Sequence, residues 1–220
     1  MKKENIITIS EPASYISEAY KILRSILSHI SVGSGKKIIM LASANEDDDK
    51  TAVIANLAVS LAKSGKKVLL VEGDYRHPRL YDLFEVPKMP GLTNVIFEKK
   101  QLRECVHDII AIKGLSVLTA GTYPVPNFEL FLKPEFSELV NEMKTSYELI
   151  LIDVPPILKY SDGIVLSGIV DGVILVAALH ESHKDQLVKA RDMLAMVKAE
   201  LLGVVVTKTK VKKKDRKTQD

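Results

Sequence analysis

The 220-residue sequence holds one cysteine, no internal repeat, and no apolar run of the roughly 18 residues that a membrane span needs. A single thiol, Cys105, can form no internal disulfide and no Cys-rich zinc site. Its helix-like surroundings, QLRECVHDII, mark it as structural rather than nucleophilic. The start MKKENIITISEP has two lysines but no apolar core of signal-peptide length, so a chain that stays in the cytoplasm is expected. Metal-ligand spacing is also lacking: of His29, His77, His107, His180 and His183, only His180 and His183 stand at i, i+3, beside a loop where solvated side chains are expected. Neither sign of charge dominates. Lys plus Arg number 31 against 28 Asp plus Glu, a net charge of +3, which argues against a nucleic-acid-binding body. The charge is unevenly placed, because Lys208 to Asp220 carries seven basic residues and only Asp215 and Asp220 as acids. That tail is a solvated segment that could touch anionic lipid, at about 1 kcal/mol per charge near the surface.

What is present is ordinary globular composition, 46% hydrophobic and 27% charged, enough to bury one sizeable core. Ser10-Glu11-Pro12 reads as a helix start, and apolar residues recur at Ile16, Ala19, Tyr20, Leu23, Ile26, Leu27 and Ile30, giving an amphipathic helix over about 12–31 that Gly33-Ser34-Gly35 breaks. Lys37 to Leu41 then reads as a short buried strand. A helix from about Thr51 to Ser64 ends at Gly65, and the strand KVLLV follows at Lys67 to Val71. Further strands are LSVL from Leu115, ELILID up to Asp153, GVILVAA from Gly172 and LGVVVT from Leu202. Helical patterns at Pro134 to Thr145, Ser161 to Val170 and Lys184 to Glu200 separate them. Near-continuously apolar strands alternating with helices indicate a mostly parallel sheet covered on both faces, a doubly wound α/β fold. Residues 1–207 read as one domain and 208–220 as the basic tail. The segment Arg76 to Gly114, with Pro78, Pro87, Pro90 and Gly91, is expected to form loops and short helices at one end of the sheet.

In an open parallel sheet, ligands sit beyond the carboxyl ends of the strands. The first such end is Ser43-Ala44-Asn45-Glu46-Asp47-Asp48-Asp49-Lys50-Thr51, leading into a helix. A phosphate loop needs Lys and Ser/Thr at that place: backbone N–H groups and the helix N-terminus cradle phosphate, Lys reaches the outer phosphates, and the hydroxyl holds magnesium. Lys50-Thr51 fits, although the loop has no glycine. The second end, VEGDYRHP, supplies Glu72 and Asp74, and LILIDVPP delivers Asp153, the placement of a carboxylate that binds magnesium directly or through water.

With these residues in place, the chain resembles the cytoplasmic domain of the bacterial protein-tyrosine kinases (BY-kinases) that accompany capsule and exopolysaccharide synthesis, relatives of the partitioning-type P-loop ATPases. EAYKILRSIL from Glu18 is similar to the family helix EAYRxLRTNI, and VLLVEGDYRHP to its second acidic motif, VDxDxRxP. GLTNVIFEKK, LSVLTAGTYPVPNFELF, YELILIDVPPILKYSDG and VDGVILV match further family blocks in order, so the likeness runs nearly end to end. It implies ATP and magnesium as cofactors, with Ser43, Lys50, Thr51 and Thr207 against the nucleotide. Thr51, Glu72, Asp74 and Asp153 would hold metal, and Lys50 with those three carboxylates would serve catalysis. It also implies a homo-oligomer contacting through Glu18, Lys21 and Arg24, where Lys21 replaces an arginine and loses the bidentate fork. The implied partner is the cytoplasmic segment of a membrane polysaccharide co-polymerase, which activates the kinase and brings it to the inner membrane face.

The likeness breaks at the ligand. Glu46 to Asp49 occupy the Pro-Gly-Glu-Gly stretch of the family loop SxxPGEGKST, so free access to positive φ is lost, although Asp tolerates the left-handed region better than most residues. A like-charge pair at 4 Å costs about 4 kcal/mol at an effective dielectric near 20, and a third of that weakens binding about tenfold. Glu72 replaces an aspartate and shifts its charge by one methylene. No tyrosine follows Tyr160, so the family's C-terminal substrate cluster is missing, and Thr207 stands where relatives carry asparagine near the base. The expectation is a family member of exopolysaccharide export with weakened or lost tyrosine kinase activity, acting through partner binding and assembly. The alternatives are an active kinase whose acidic loop magnesium neutralises, and a partitioning-type ATPase. The missing second loop lysine and the EAYKILR helix stand against the last.

Overall fold

The protein is described from a computed structural model, covering residues 6–46, 48–121 and 128–209. Asp47, Tyr123 and the basic residues from Lys210 onward lie outside the described residues.

The amino-terminal helix is shorter at its start than the sequence pattern implies. A single turn, α1 (Ile7–Ser10), precedes α2 (Tyr15–Ser34). The cap is Ser14, whose side chain accepts the Ser17 N–H at 3.2 Å, so Pro12 lies in the connecting turn instead of the first helical turn. Gly35, with φ 69°, closes the other end in the left-handed conformation, and Gly33 and Ser34 stay helical. β1 (Ile38–Ser43) runs into the acidic loop, followed by α3 (Lys50–Lys63) and β2 (Val68–Glu72).

The irregular segment contains three short helices, α4 (Leu80–Phe84), α5 (Leu92–Glu98) and α6 (Leu102–Cys105), as its prolines suggest. It also contains a strand that sequence reading misses, β3 (Val106–Asp108), which turns back antiparallel on β4 (Leu115–Leu118). At three residues, β3 is too short to show an alternation of its own. Cys105 is fully buried, and burial raises its thiol pKa, as suits a structural residue. The chain continues through α7 (Pro134–Ser146), β5 (Leu149–Asp153), α8 (Asp162–Ser167), β6 (Gly172–Ala178), α9 (Lys184–Met196) and β7 (Leu201–Thr207).

The sheet order is β3-β4-β2-β5-β1-β6-β7, all parallel except β3. Strand residues alternate between two cores. Met40, Leu69, Val71, Ile152 and Leu175 face α5, α7, α8 and α9, whereas Ile39, Leu41, Leu70, Leu151 and Val176 face α2, α3 and α4. Burial on both faces explains the continuous apolar runs of β1, β2, β4, β5 and β6, whereas the edge strand β7 leaves Val204 and Val206 about half exposed. With β1 and β5 adjacent and α3 springing from β1, the sheet brings Lys50, Thr51 and Asp153 to one place.

Candidate functional site: a carboxylate-lined cavity at the carboxyl end of the sheet

A cavity of about 900 Å³ opens where β1, β2 and β6 end, lined by the acidic loop, the start of α3, the exit of β2 and the start of α9. At its floor, Lys50 Nζ is ion-paired to Asp153 Oδ1, and Thr51 Oγ1 donates to Asp153 Oδ2 at 2.7 Å. Lys50 and Asp153 are both buried, so each neutralises a charge that would be costly alone. Strand register makes the meeting possible: Leu41 of β1 pairs with Asp153 of β5, and α3 returns over that pair.

The loop above is acidic in sequence but not a fully exposed run of charge. Asp48 is buried: Oδ2 accepts the Asn45 N–H at 3.1 Å, and Oδ1 accepts the Ala178 N–H at 3.3 Å together with the Ser182 hydroxyl. It ties the loop to the end of β6. Glu46 carries Lys159 at 2.6 Å, and Asp49 carries Lys208 at 3.3 Å. Asn45 Nδ2 donates to Gln186 Oε1 at 2.7 Å, fastening the loop to α9. Asp49 itself takes the left-handed conformation, φ 55° and ψ 22°, at the position where the family loop has glycine. These partners lie more than 100 residues away in several cases, which is why local sequence gave no sign of them.

Ser43, expected beside the nucleotide, donates to the Asn45 carbonyl at 2.7 Å and is buried under the loop. Asp74 lines the cavity and accepts the Arg76 and His77 N–H groups at 3.2 and 3.0 Å, a turn that orients its carboxylate. Glu72 has a different setting. It sits in register with Asp153, is 1% exposed, and its carboxylate accepts the N–H groups of Arg79, Leu80 (2.6 Å) and Ala120 (3.1 Å). Burial raises its pKa to about 7 despite those bonds, with Asp153 adding repulsion. Gly73 follows because its N–H meets the Asp153 carbonyl at 2.7 Å and a Cβ would stand 2.7 Å from the same oxygen. Thr207 accepts no cavity-lining role either: its hydroxyl lies 3.4 Å from the Ala177 carbonyl, and the next residue, Lys208, reaches the cavity instead. Glu18 and Lys21 pair with each other on the exposed face of α2 at 2.9 Å, whereas Arg24 turns inward to the Ser60 carbonyl at 3.3 Å.

Lys50, Thr51 and Asp153 are the groups a phosphate with magnesium would use, and Asp49 makes no side-chain cap to α3, leaving the helix N-terminus open to the cavity. The donor set therefore fits phosphate and magnesium in kind. Among the described residues no three His, Cys, Asp or Glu side chains converge to hold a metal alone, so a magnesium ion would take Thr51, Asp153 and, from the β2 side, Asp74, with water and phosphate completing its shell. Around that set the lining is unfavourable for an anion: Glu46, Asp48, Asp49, Asp74 and Glu181 face Lys50, Arg79 and Lys208.

A family model described as an AAA domain matches residues 36–183, which hold the whole of this site except Lys208 and part of α9. Tyrosine-protein kinase YwqD of Bacillus subtilis (strain 168) is 35% identical over 211 residues, covering 96% of this chain and 89% of its own. The chain belongs to the bacterial tyrosine-protein kinase family. Its kinase-family fold superposes on the crystal structure of the chimerical protein CapA2B2 with a TM-score of 0.86 at 30% identity, covering 94% of this chain and 90% of that one. The cell division ATPase MinD of Pyrococcus furiosus is less alike, with a TM-score of 0.65 at 26% identity over 78% of this chain and 71% of that one. The kinase-family likeness thus covers the amino-terminal helix and the sheet together, and the parallel P-loop architecture is shared with the wider ATPase group.

Proposed function

We propose that this kinase-family protein serves capsular or exopolysaccharide export mainly by assembly, with ATP-dependent tyrosine phosphorylation weakened or lost. The observation that carries the reading is the acidic lining at the open N-terminus of α3, five carboxylates against three cations where a polyphosphate would enter. Each carboxylate already holds a proton donor or cation of the protein, so a polyphosphate would compete with bonds that close the loop. Lys50 and Thr51 are likewise engaged on Asp153. When bound, a magnesium–nucleotide complex would supply the phosphoryl group. Lys50 would hold its outer phosphates, Thr51 and Asp153 its metal, and Asp74 would face the accepting hydroxyl.

In this proposal the partners are a membrane co-polymerase segment and further copies of the chain, reached through the exposed Glu18 and Lys21 face of α2, with Arg24 bracing α2 on α3. Titration calorimetry with ATP and magnesium tests it. Wild type is expected to bind no tighter than millimolar, and Asp49→Gly, which removes one facing carboxylate and supplies free left-handed backbone, is expected to gain about tenfold. Micromolar binding by wild type that Lys50→Ala abolishes would overturn the weakened-site reading. It would favour the second one, an active kinase in which magnesium compensates the loop, for which the intact Thr51–Asp153 contact speaks.

A further inference from the structure

The end of the sheet opposite the cavity has the reverse charge. Because six strands run parallel, residues just before them share one rim. Lys36 and Lys37 precede β1, Lys66 and Lys67 precede β2, Lys113 precedes β4 and Lys198 precedes β7. Three carboxylates at that rim are matched by lysines, Glu200 by Lys36 at 3.0 Å, Glu148 by Lys66 at 2.9 Å and Asp171 by Lys144 at 2.9 Å, and Asp108, at the end of β3, accepts the Ser116 hydroxyl at 2.6 Å. Lys67 and Lys113 are exposed, and Lys113 has no ion-pair or hydrogen-bond partner among the described residues.

One loop at this rim displays an aliphatic side chain. The β3–β4 turn buries Ile109 (6% exposed) and Ile112 (4%) in the core and projects Ile110 completely (100%). The turn is held rather than loose: Ile109 N–H donates to the Leu115 carbonyl at 2.9 Å, and Ile112 N–H to the Ile109 carbonyl at 2.8 Å. Gly114, with φ 89°, brings it so close to the start of β2 that a Cβ would lie 2.7 Å from the Lys66 carbonyl oxygen. The next residue, Ala111, lines a groove together with Lys66, Lys67 and Lys113.

We propose that this amino-terminal rim docks on anionic lipid, Ile110 entering the acyl boundary while the lysines lie at headgroup level. The chemistry favours lipid over an acidic protein. A lone aliphatic tip beside a row of lysines gives no contiguous apolar centre of the kind a protein interface uses, whereas shallow insertion plus several lysines suffices for a charged membrane. The inference is independent of whether the cavity binds nucleotide.

Flotation of the full chain with vesicles of equimolar phosphatidylglycerol and phosphatidylcholine, against vesicles of phosphatidylcholine alone, tests it. Binding to the anionic vesicles only is expected. Lys113→Glu changes two charges at the surface and should weaken it about thirtyfold at low salt, an effect that shrinks as salt rises. Ile110→Ser should weaken it about tenfold, and that loss should persist at high salt. Both side chains are exposed, so circular dichroism and the unfolding midpoint should be unchanged. The proposal fails if the protein ignores anionic vesicles. It fails equally if both variants bind as wild type does, which would assign binding to the basic tail, or if an acidic peptide is retained while vesicles are not.

Discussion

Two strand exits that lie side by side use their carboxylates in opposite ways. At the end of β5, Asp153 meets a cation and a hydroxyl, Lys50 and Thr51, and both of these line the cavity. At the end of β2, Glu72, its register partner, meets three backbone N–H groups and is closed off from the cavity. A buried carboxylate beside an ammonium group has its charge matched there and forms part of a site. One beside peptide groups fastens loops, and burial drives its proton affinity up. The Glu72 side chain reaches the N–H groups of residues 79, 80 and 120.

The sharpest way to break this contrast is to remove Asp153. Asp153→Ala leaves the Lys50 ammonium buried without its partner and should cost about 3–5 kcal/mol in urea unfolding; a loss below about 1 kcal/mol would mean that Lys50 swings freely into the cavity. Glu72→Ala strands the N–H groups of Arg79, Leu80 and Ala120 and should cost about 3 kcal/mol, with no change in the affinity of the cavity for magnesium. Metal affinity that falls with Glu72→Ala would place Glu72 in the site after all.

The pH response separates the two exits further. The Glu72 pKa rises from 4.5 to about 7 on folding, so between those values the native state holds a proton that the unfolded chain has released. Its contribution is complete below about pH 4.5 and is lost as pH climbs through about 7, an amount on the order of 3 kcal/mol. Urea midpoints for wild type and Glu72→Gln should approach each other toward the acid side, where Glu72 is itself neutral, and separate as pH climbs through about 7; parallel curves would contradict the raised pKa. The smallest effect belongs to the loop's outer ion pair. Lys159→Ala frees the exposed Glu46 and should leave the unfolding midpoint within error, because solvent and salt already screen that pair.

Much of the architecture was legible because its signals are local. LSVL and GVILVAA become β4 and β6 with the same boundaries, and the helical patterns at 134–145 and 184–200 become α7 and α9 within a few residues. The short β3 and the start of α2 were not, since three residues carry no periodicity and Ser14 outcompetes Ser10 only once α1 and its turn are in place. At the site, Lys50, Thr51 and Asp153 follow from the rule that ligands gather at strand exits, and the structure brings those three together. Ser43 and Thr207 lie at the same rim but turn their hydroxyls to carbonyl groups of the chain.

The sequence by itself determined the parallel sheet, the cavity end and the acidic character of the loop, because each is written in short-range pattern and residue type. Tertiary structure alone decided the fate of the charges. Asp48 finds Ser182, Glu46 finds Lys159, Asp49 finds Lys208 and Glu72 finds three peptide groups only when distant strands are set in register. The energy of a charge depends on what stands within a few ångströms of it, and in a chain of this topology those neighbours are far away in sequence.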